Sequence, residues 1–344
     1  MLVTRIFRIQ EWLVVKLLFN LAIAFAYILS TGISPADVLP ISLLVVLYII
    51  SVGSFGYYCN DMFDANGNLC RTYCYKRIRV KNIISVFVLI TLVSLSFVPY
   101  LYALSEPNLY FILLAIHLVL LLSYPIPVLR IKSSVLGLIW DALYSYVFPA
   151  TVTLSICSGY HGVSLQFDIV TGFLVTAWLF FAGLRSILSH QLSDYDNDIC
   201  TGTTTFTVRH GQTLSRRLTT AATIAEWLLF VAVAVVVIDS LLIPIIASII
   251  MFLVVEIGFR FRSFRRQTKI NTAIALTNQL YDYYLFAGFF VWASVHWNLA
   301  AAVYPVTFLM IRLNAFSWCY HHIVLWVFHK LNGGFKRLRK LFKS

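Results

Sequence analysis

The sequence predicts an all-α, polytopic membrane helical bundle built around two parallel four-helix repeats, and three observations predict it. Hydrophobic residues make up 60% of the 344 positions and charged residues only 12%, against about a quarter charged in soluble domains. The apolar residues fall in blocks of about 18 to 23, the length needed to cross a hydrocarbon core at 1.5 Å rise per residue. The 14 acidic residues are scarce, yet several gather in two short stretches that repeat one another. No separate soluble domain fits in the remaining length.

Apolar segments run Trp12–Leu29, Leu39–Tyr58, Ile83–Leu104, Leu109–Tyr124, Val135–Ile156, Ile169–Ser189, Thr219–Ile238 and Leu241–Phe259, followed by Leu280–Trp297 and Ala300–Trp326. Each predicts a helix, because uninterrupted apolarity lacks the in–out alternation of a membrane barrel strand. Met1–Arg8 has no small-residue cleavage site and predicts an uncleaved start. Pro305, Arg312 and the pair His321–His322 interrupt the last segment, so a span and an interfacial helix both fit it. The tail Phe335–Lys343 is basic and amphipathic, suited to anionic headgroups.

Lys16, Arg185 and Arg312 lie inside spans; every other Lys and Arg falls in alternate connections. These are the N-terminus, Arg71–Lys81, Arg130–Lys132, Arg209–Arg217, Arg260–Lys269 and the tail from Lys330. Basic residues near span ends resist translocation. A multi-pass protein of the plasma (inner) membrane, with both termini cytoplasmic, is therefore expected. The net charge of +12 is divided among short loops, which excludes a nucleic-acid face. The six Cys form no disulfide framework, since Cys59, Cys70, Cys74 and Cys200 fall on the reducing side. Cys70 and Cys74 lack the second ligand pair of a thiolate metal site.

The first acidic stretch is Asn60, Asp61, Met62, Phe63, Asp64, with Asn66 and Asn68 following, at the end of the second span. The second is His190, Gln191, Leu192, Ser193, Asp194, Tyr195, Asp196, Asn197, Asp198, at the end of the sixth. Overlaid, Asp61 meets Gln191, Asp64 meets Asp194 and Asn68 meets Asp198. The polar pattern i, i+3, i+7 puts three side chains on one helical face and leaves Asp196 off it. Four spans separate the stretches, so both lie on the cytoplasmic side, as parallel repeats require. Two facing carboxylate rows repel each other near a bilayer and need compensating cations. Hard oxygen ligands favour Mg²⁺, which substrate phosphate oxygens commonly complete, so a diphosphate is the expected guest. Arg71, Arg77, Arg79, Lys81, Arg130, Lys132 and Arg260–Lys269 lie in loops able to close over an anion. Asp141, Glu226, Glu256 and Asp282 fall in or beside spans and must be paired or face a cavity.

The paired stretches resemble the UbiA superfamily of intramembrane prenyltransferases. Its first motif reads N-D-x-x-D-x-x-x-D; Asn60, Asp61 and Asp64 match, and Asn68 replaces the last Asp. Its second reads D-x-x-D-x-x-x-D followed by Gly and Thr; Asp194, Asp198, Gly202 and Thr205 match, and Gln191 replaces the first Asp. The basic stretch Ser123-Tyr124-Pro125-Ile126-Pro127-Val128-Leu129-Arg130-Ile131-Lys132 is similar to one the family carries between the motifs. The resemblance implies nine core transmembrane helices, with a prenyltransferase domain over 1–298. The remaining 299–344 would form the C-terminal span or interfacial helix with its basic tail.

The resemblance implies that Asp61, Asp64, Asp194 and Asp198 hold Mg²⁺ against a polyprenyl diphosphate, with Asn68 a weaker ligand and Asn60 assisting. Tyr124, Arg130 and Lys132 would bind or shield the phosphate end, while Arg185, Gln191 and Asp141 are further substrate-binding candidates. Metal would stabilise charge on the leaving diphosphate while an acceptor attacks the allylic cation. Aromatic residues, 16% of the chain, suit a tunnel for a greasy cationic guest. The superfamily also implies an alternative, phosphoribosyl-type transfer onto polyprenyl phosphate. The rival outside enzymes is an ion-coupled transporter, which would place polar residues near mid-span. The partners expected are the isoprenoid lipid substrate, an unidentified acceptor and the bilayer.

Overall fold

In the computed structural model, residues 7, 9–64, 82–102, 107–126, 129, 131–162, 168–236 and 238–253 are described, with positions 277, 280, 284, 285 and 288 beyond them. Every regular element among them is helical. They are α1 (Ile9–Thr31), α2 (Pro35–Asp64), α3 (Asn82–Ser96), which continues into a 3-10 turn at Val98–Tyr102, and α4 (Pro107–Ser123). A 3-10 turn at Ile131–Ser133 then leads into α5 (Val135–Tyr160). After it come α6 (Ile169–Ser193), α7 (Tyr195–Thr201), α8 (Phe206–His210), α9 (Gln212–Val236) and α10 (Ile238–Phe252). The first eight expected spans thus each coincide with a helix, α7 and α8 being short pieces between the sixth and seventh. The ninth is represented by four described positions, 280, 284, 285 and 288, and the tenth, with the basic tail, lies outside the described residues.

Among the described residues, five stretches are long and apolar enough to cross a membrane: Asp37–Asn60, Ile84–Tyr102, Val135–Tyr160, Ile169–Ser193 and Gln212–Val236. The outward residues fit that setting. Phe87 and Ile90 on α3, Ile169 and Phe173 on α6, and Leu228 on α9 are exposed apolar side chains, an arrangement that lipid tolerates and water penalises.

Each span packs on the next, α4 packs on α5, and α10 returns to α1, which closes the eight helices into a ring. Across that ring α1 also packs on α5, its counterpart in the expected repeat. Leu17, Leu18, Phe25 and Ile28 of α1 are buried in this centre with Ala150, Val152 and Ile156 of α5. Thr153 Oγ1 donates to Asn20 Oδ1 at 3.2 Å and Asn20 Nδ2 to the Lys16 carbonyl at 2.8 Å, so the buried amide is satisfied between the halves. Nearby, a Cβ at Gly183 of α6 would lie 2.6 Å from the Ala142 backbone. Only glycine lets α6 approach α5 so closely.

Within α5 the turn Leu143–Val147 is a π-helix. Such a turn breaks the regular i to i−4 ladder and often marks functional positions. Here the Tyr144 carbonyl accepts from His117 Nε2 at 2.7 Å and the Ser145 carbonyl from Lys16 Nζ at 3.0 Å. With Nε2 donating, His117 Nδ1 accepts the Tyr48 hydroxyl at 2.8 Å. This chain of bonds ties α1, α2 and α4 to one turn of α5.

Candidate active site

Asn60, Asp61 and Asp64 form the last turns of α2. The side chains of Asp61 and Asp64 lie outside the described residues, as do Asn68 and Arg130 entirely. Asn60 Oδ1 accepts from Lys132 Nζ at 2.5 Å. Lys132 sits in the 3-10 turn Ile131–Ser133, which Gly137 allows to fold back on α5, because a Cβ there would meet the Ile131 carbonyl at 2.2 Å. Ser134 caps α5 by accepting the Gly137 N–H at 3.3 Å, and its hydroxyl donates to the Ile131 carbonyl at 2.9 Å. The local sequence therefore presents the ammonium at the end of the ring.

Lys132 Nζ lies 5.7 Å from the Tyr124 ring centroid, within cation–π range. It also lies within electrostatic reach of Asp198. One side chain from the middle of the sequence therefore binds the first acidic stretch and acts by its charge on the second.

The second stretch is more articulated than a single helical face. The chain bends at Asp194, whose φ of −92° and ψ of 1° separate α6 from α7. Hydrogen bonds continue across the bend, from Asp194 N–H to the His190 carbonyl at 3.0 Å and from Asp198 N–H to the Asp194 carbonyl at 2.8 Å. Asp194 stays half-buried, with His190 Nε2 at 3.5 Å from Oδ2. Asp196 is exposed, as its position off the polar face predicts. Gly202 ends α7 with a φ of 68°, a left-handed cap that glycine adopts without strain. Thr205 then caps α8 and donates its hydroxyl to Asp198 Oδ2 at 3.2 Å. The Gly and Thr after the acidic stretch thus shape the loop that holds Asp198.

Asp198 is nine-tenths buried. Burial pushes its carboxyl up to about 6; the Thr205 hydrogen bond opposes the shift and the Asp194 charge adds to it. A buried carboxylate beside another carboxylate favours a bound cation.

Two candidates do not join this group. Gln191 Oε1 accepts both the Thr207 N–H at 3.1 Å and the Thr207 hydroxyl at 3.2 Å. Gln191 is thereby held toward α8, where its side chain steadies the loop. Arg185 is also drawn elsewhere: its Nε lies 2.5 Å from Glu226 Oε2 and its Nη2 3.1 Å from Oε1. Both residues are almost fully buried between α6 and α9, so the guanidinium serves that interface. Glu226 has the pairing expected of an intramembrane acid; Glu256 and Asp282 lie outside the described residues.

Asp141 does face the interior cluster, accepting the Tyr144 hydroxyl through Oδ2 and the Ser145 hydroxyl through Oδ1 at 3.1 Å. The Tyr124 and Tyr144 rings meet edge to face at 5.2 Å, which joins this cluster to Lys132. Lys16 and Tyr144 are additions that sequence reasoning missed. The available signal was a lone Lys inside the first span. Among the described residues no group of three or more His, Cys, Asp and Glu could hold a metal ion. Of the described residues' cysteines, Cys59, Cys157 and Cys200 are free thiols.

Comparison with known proteins finds no matching family model and no matching curated protein. Solved structures do match. A UbiA homolog from Archaeoglobus fulgidus bound to DMAPP and Mg²⁺ aligns with a TM-score of 0.57 at 18% identity, covering 85% of this chain and 99% of that one. The same homolog bound to GPP and Mg²⁺ gives 0.56 at 18% identity, over 83% and 98%. Its Cd²⁺-bound form gives 0.53 at 17% identity, over 83% and 98%. The chain therefore has the UbiA fold, as a polytopic helical bundle along nearly the whole length of these structures.

Proposed function

We propose that this UbiA-fold chain is a membrane transferase of the UbiA superfamily that moves a prenyl group from a polyprenyl diphosphate to an acceptor. The observation that carries the reading is Lys132, hydrogen-bonded to Asn60 of the first acidic stretch and within electrostatic reach of Asp198 of the second. A cation poised between two acidic rows suits a guest that brings its own phosphates. The fold relatives solved with DMAPP or GPP together with Mg²⁺ support the same guest.

The donor set fits Mg²⁺: carboxylate oxygens dominate, and Asp198 holds a buried charge that a hard cation would relieve. Asp61, Asp64, Asp194 and Asp198 would hold the ion, with Asn68 able to contribute a carbonyl oxygen. When bound, it supplies neutralisation of the negative charge that grows on a departing diphosphate. The chain's own residues do the rest. Lys132 and Arg130 bind the phosphate end, Tyr124 screens it from water, and Asn60 orients Lys132. The basic loops support a mouth open to the cytoplasmic side.

Membranes containing the protein, given Mg²⁺ and labelled geranyl diphosphate, are expected to release diphosphate and carry the label into a lipid product. Labelled phosphoribosyl diphosphate in a parallel incubation is expected to leave the lipid unlabelled. The reverse pattern overturns the prenyl-donor reading in favour of the sugar-phosphate one.

The Asp198 carboxyl gives a pH test. Its folded value, near 6, lies above the ordinary 3.8, so the folded chain binds a proton there that the unfolded chain has released. Without metal, this group therefore adds stability as pH falls from 7 through 6 toward 4. Mg²⁺ competes with that proton. Added Mg²⁺ is expected to raise the thermal unfolding temperature more at about pH 7.5 than at about pH 5. Equal stabilisation at both would remove Asp198 from the ligand set.

A further inference from the structure

Beside the mouth lies a polar cluster that phosphate binding leaves unused. Asp141 is 8% exposed and accepts two hydroxyls, from Tyr144 and Ser145. Lys16 crosses from α1 into electrostatic range of that carboxylate. Its Nζ donates to the Ser145 carbonyl and stands 3.6 Å from the Tyr146 ring centroid. His117 fixes the same turn through the Tyr144 carbonyl. The acid, the ammonium and the phenol are thus held in one place by three helices.

A structural tie alone accounts poorly for this cluster. Ionisable side chains within spans are costly, and those retained commonly mark a substrate or proton path. Asn20 and Thr153 already join α1 to α5 without charge. Lys16, Tyr57, Tyr124, Tyr144 and Ser145 also keep partial accessibility, so the cluster borders open space. That space adjoins the mouth through the Tyr124–Tyr144 ring contact, one aromatic pair away from Lys132. A guest beside the cluster would therefore lie next to the phosphate-binding mouth.

We propose that this cluster is the acceptor site, that the acceptor reacts through a hydroxyl group, and that its proton leaves through Tyr144 to Asp141. The proposal rests on the transferase reading. The allylic C–O bond to diphosphate breaks, and its electron pair leaves with the diphosphate. A lone pair of the acceptor oxygen forms the new C–O bond to the allylic carbon. The acceptor proton moves to Tyr144 Oη as the Tyr144 proton, already hydrogen-bonded to Asp141 Oδ2, passes onto that oxygen. No oxidant or reductant is needed. The Lys16 charge balances the carboxylate before transfer and holds the turn that presents Tyr144.

The test uses the full-length protein in detergent with Mg²⁺, geranyl diphosphate as donor and phenol as acceptor probe. Diphosphate release, geranyl phenyl ether and geraniol are measured together. The wild type is expected to form the ether, and Asp141→Asn and Tyr144→Phe are each expected to lower the ether-to-geraniol ratio at least tenfold. A merely structural role would lower both products together and leave that ratio unmoved. Elution as a monodisperse species on gel filtration selects which of the two variants is read. An unchanged ratio, or a wild type that releases diphosphate without forming ether, overturns the acceptor assignment. A wild type that releases no diphosphate fails at the transferase reading itself.

Discussion

Alanine at Asp64 or Asp194 is expected to reduce product formation from a prenyl diphosphate by about 10³-fold, the scale of losing one electrostatic stabiliser of a charged leaving group. The two residues occupy corresponding places in the repeated stretches and come from opposite halves of the ring. Asp64 lies in the last turn of α2, and Asp194 at the bend after α6. Asp194 is half-exposed beside an exposed His190, and both residues stand at helix ends. Expression, insertion and thermal stability are therefore expected to stay near wild type while turnover disappears. Near-normal turnover in both variants, measured as label entering lipid, would end the metal-site assignment.

The second large effect concerns stability. Arg185 and Glu226 face each other across the α6–α9 interface, where the helices run side by side along much of their length. Two N–H groups of the guanidinium meet the two carboxylate oxygens. Removing one partner leaves a charge buried without compensation, at a cost of about 3–5 kcal/mol. Arg185→Met and Glu226→Met are each expected to lower the thermal unfolding temperature sharply in detergent. The double substitution is expected to recover most of the loss, because matched apolar side chains of similar length fill the interface without a charge to solvate. Additive losses in the double variant would show that the pair does not act as a unit.

The spans were legible because each is a continuous apolar block, and the acidic stretches because charged residues are rare enough in this chain for repetition to stand out. Lys132 was also within reach, lying in the basic stretch between the motifs. Other features depended on packing that spacing does not encode. The bend at Asp194 carries no Pro or Gly, and hydrogen bonds run through it, so the i, i+3, i+7 pattern reads as one face when Gln191 in fact turns to Thr207. Arg185 and Glu226 are 41 positions apart. Each was visible as an unusual residue in a span, yet only the approach of α6 to α9 reveals that they are partners. Lys16 entered the sequence reading as an exception to the charge rule; its acceptor, the Ser145 carbonyl, is supplied by a π turn in Leu-Tyr-Ser-Tyr-Val, where no residue announces one.

That turn has a consequence for the helix as a whole. A π-helical turn accommodates one residue more than an α-helical turn, which shifts the rotational phase of everything beyond it by about 100°. Side chains before Leu143 and after Val147 in α5 thus follow two staggered 3.6-residue rhythms. A substitution scan along α5 would find sensitive positions recurring regularly on either side, with a one-residue slip where the two rhythms meet.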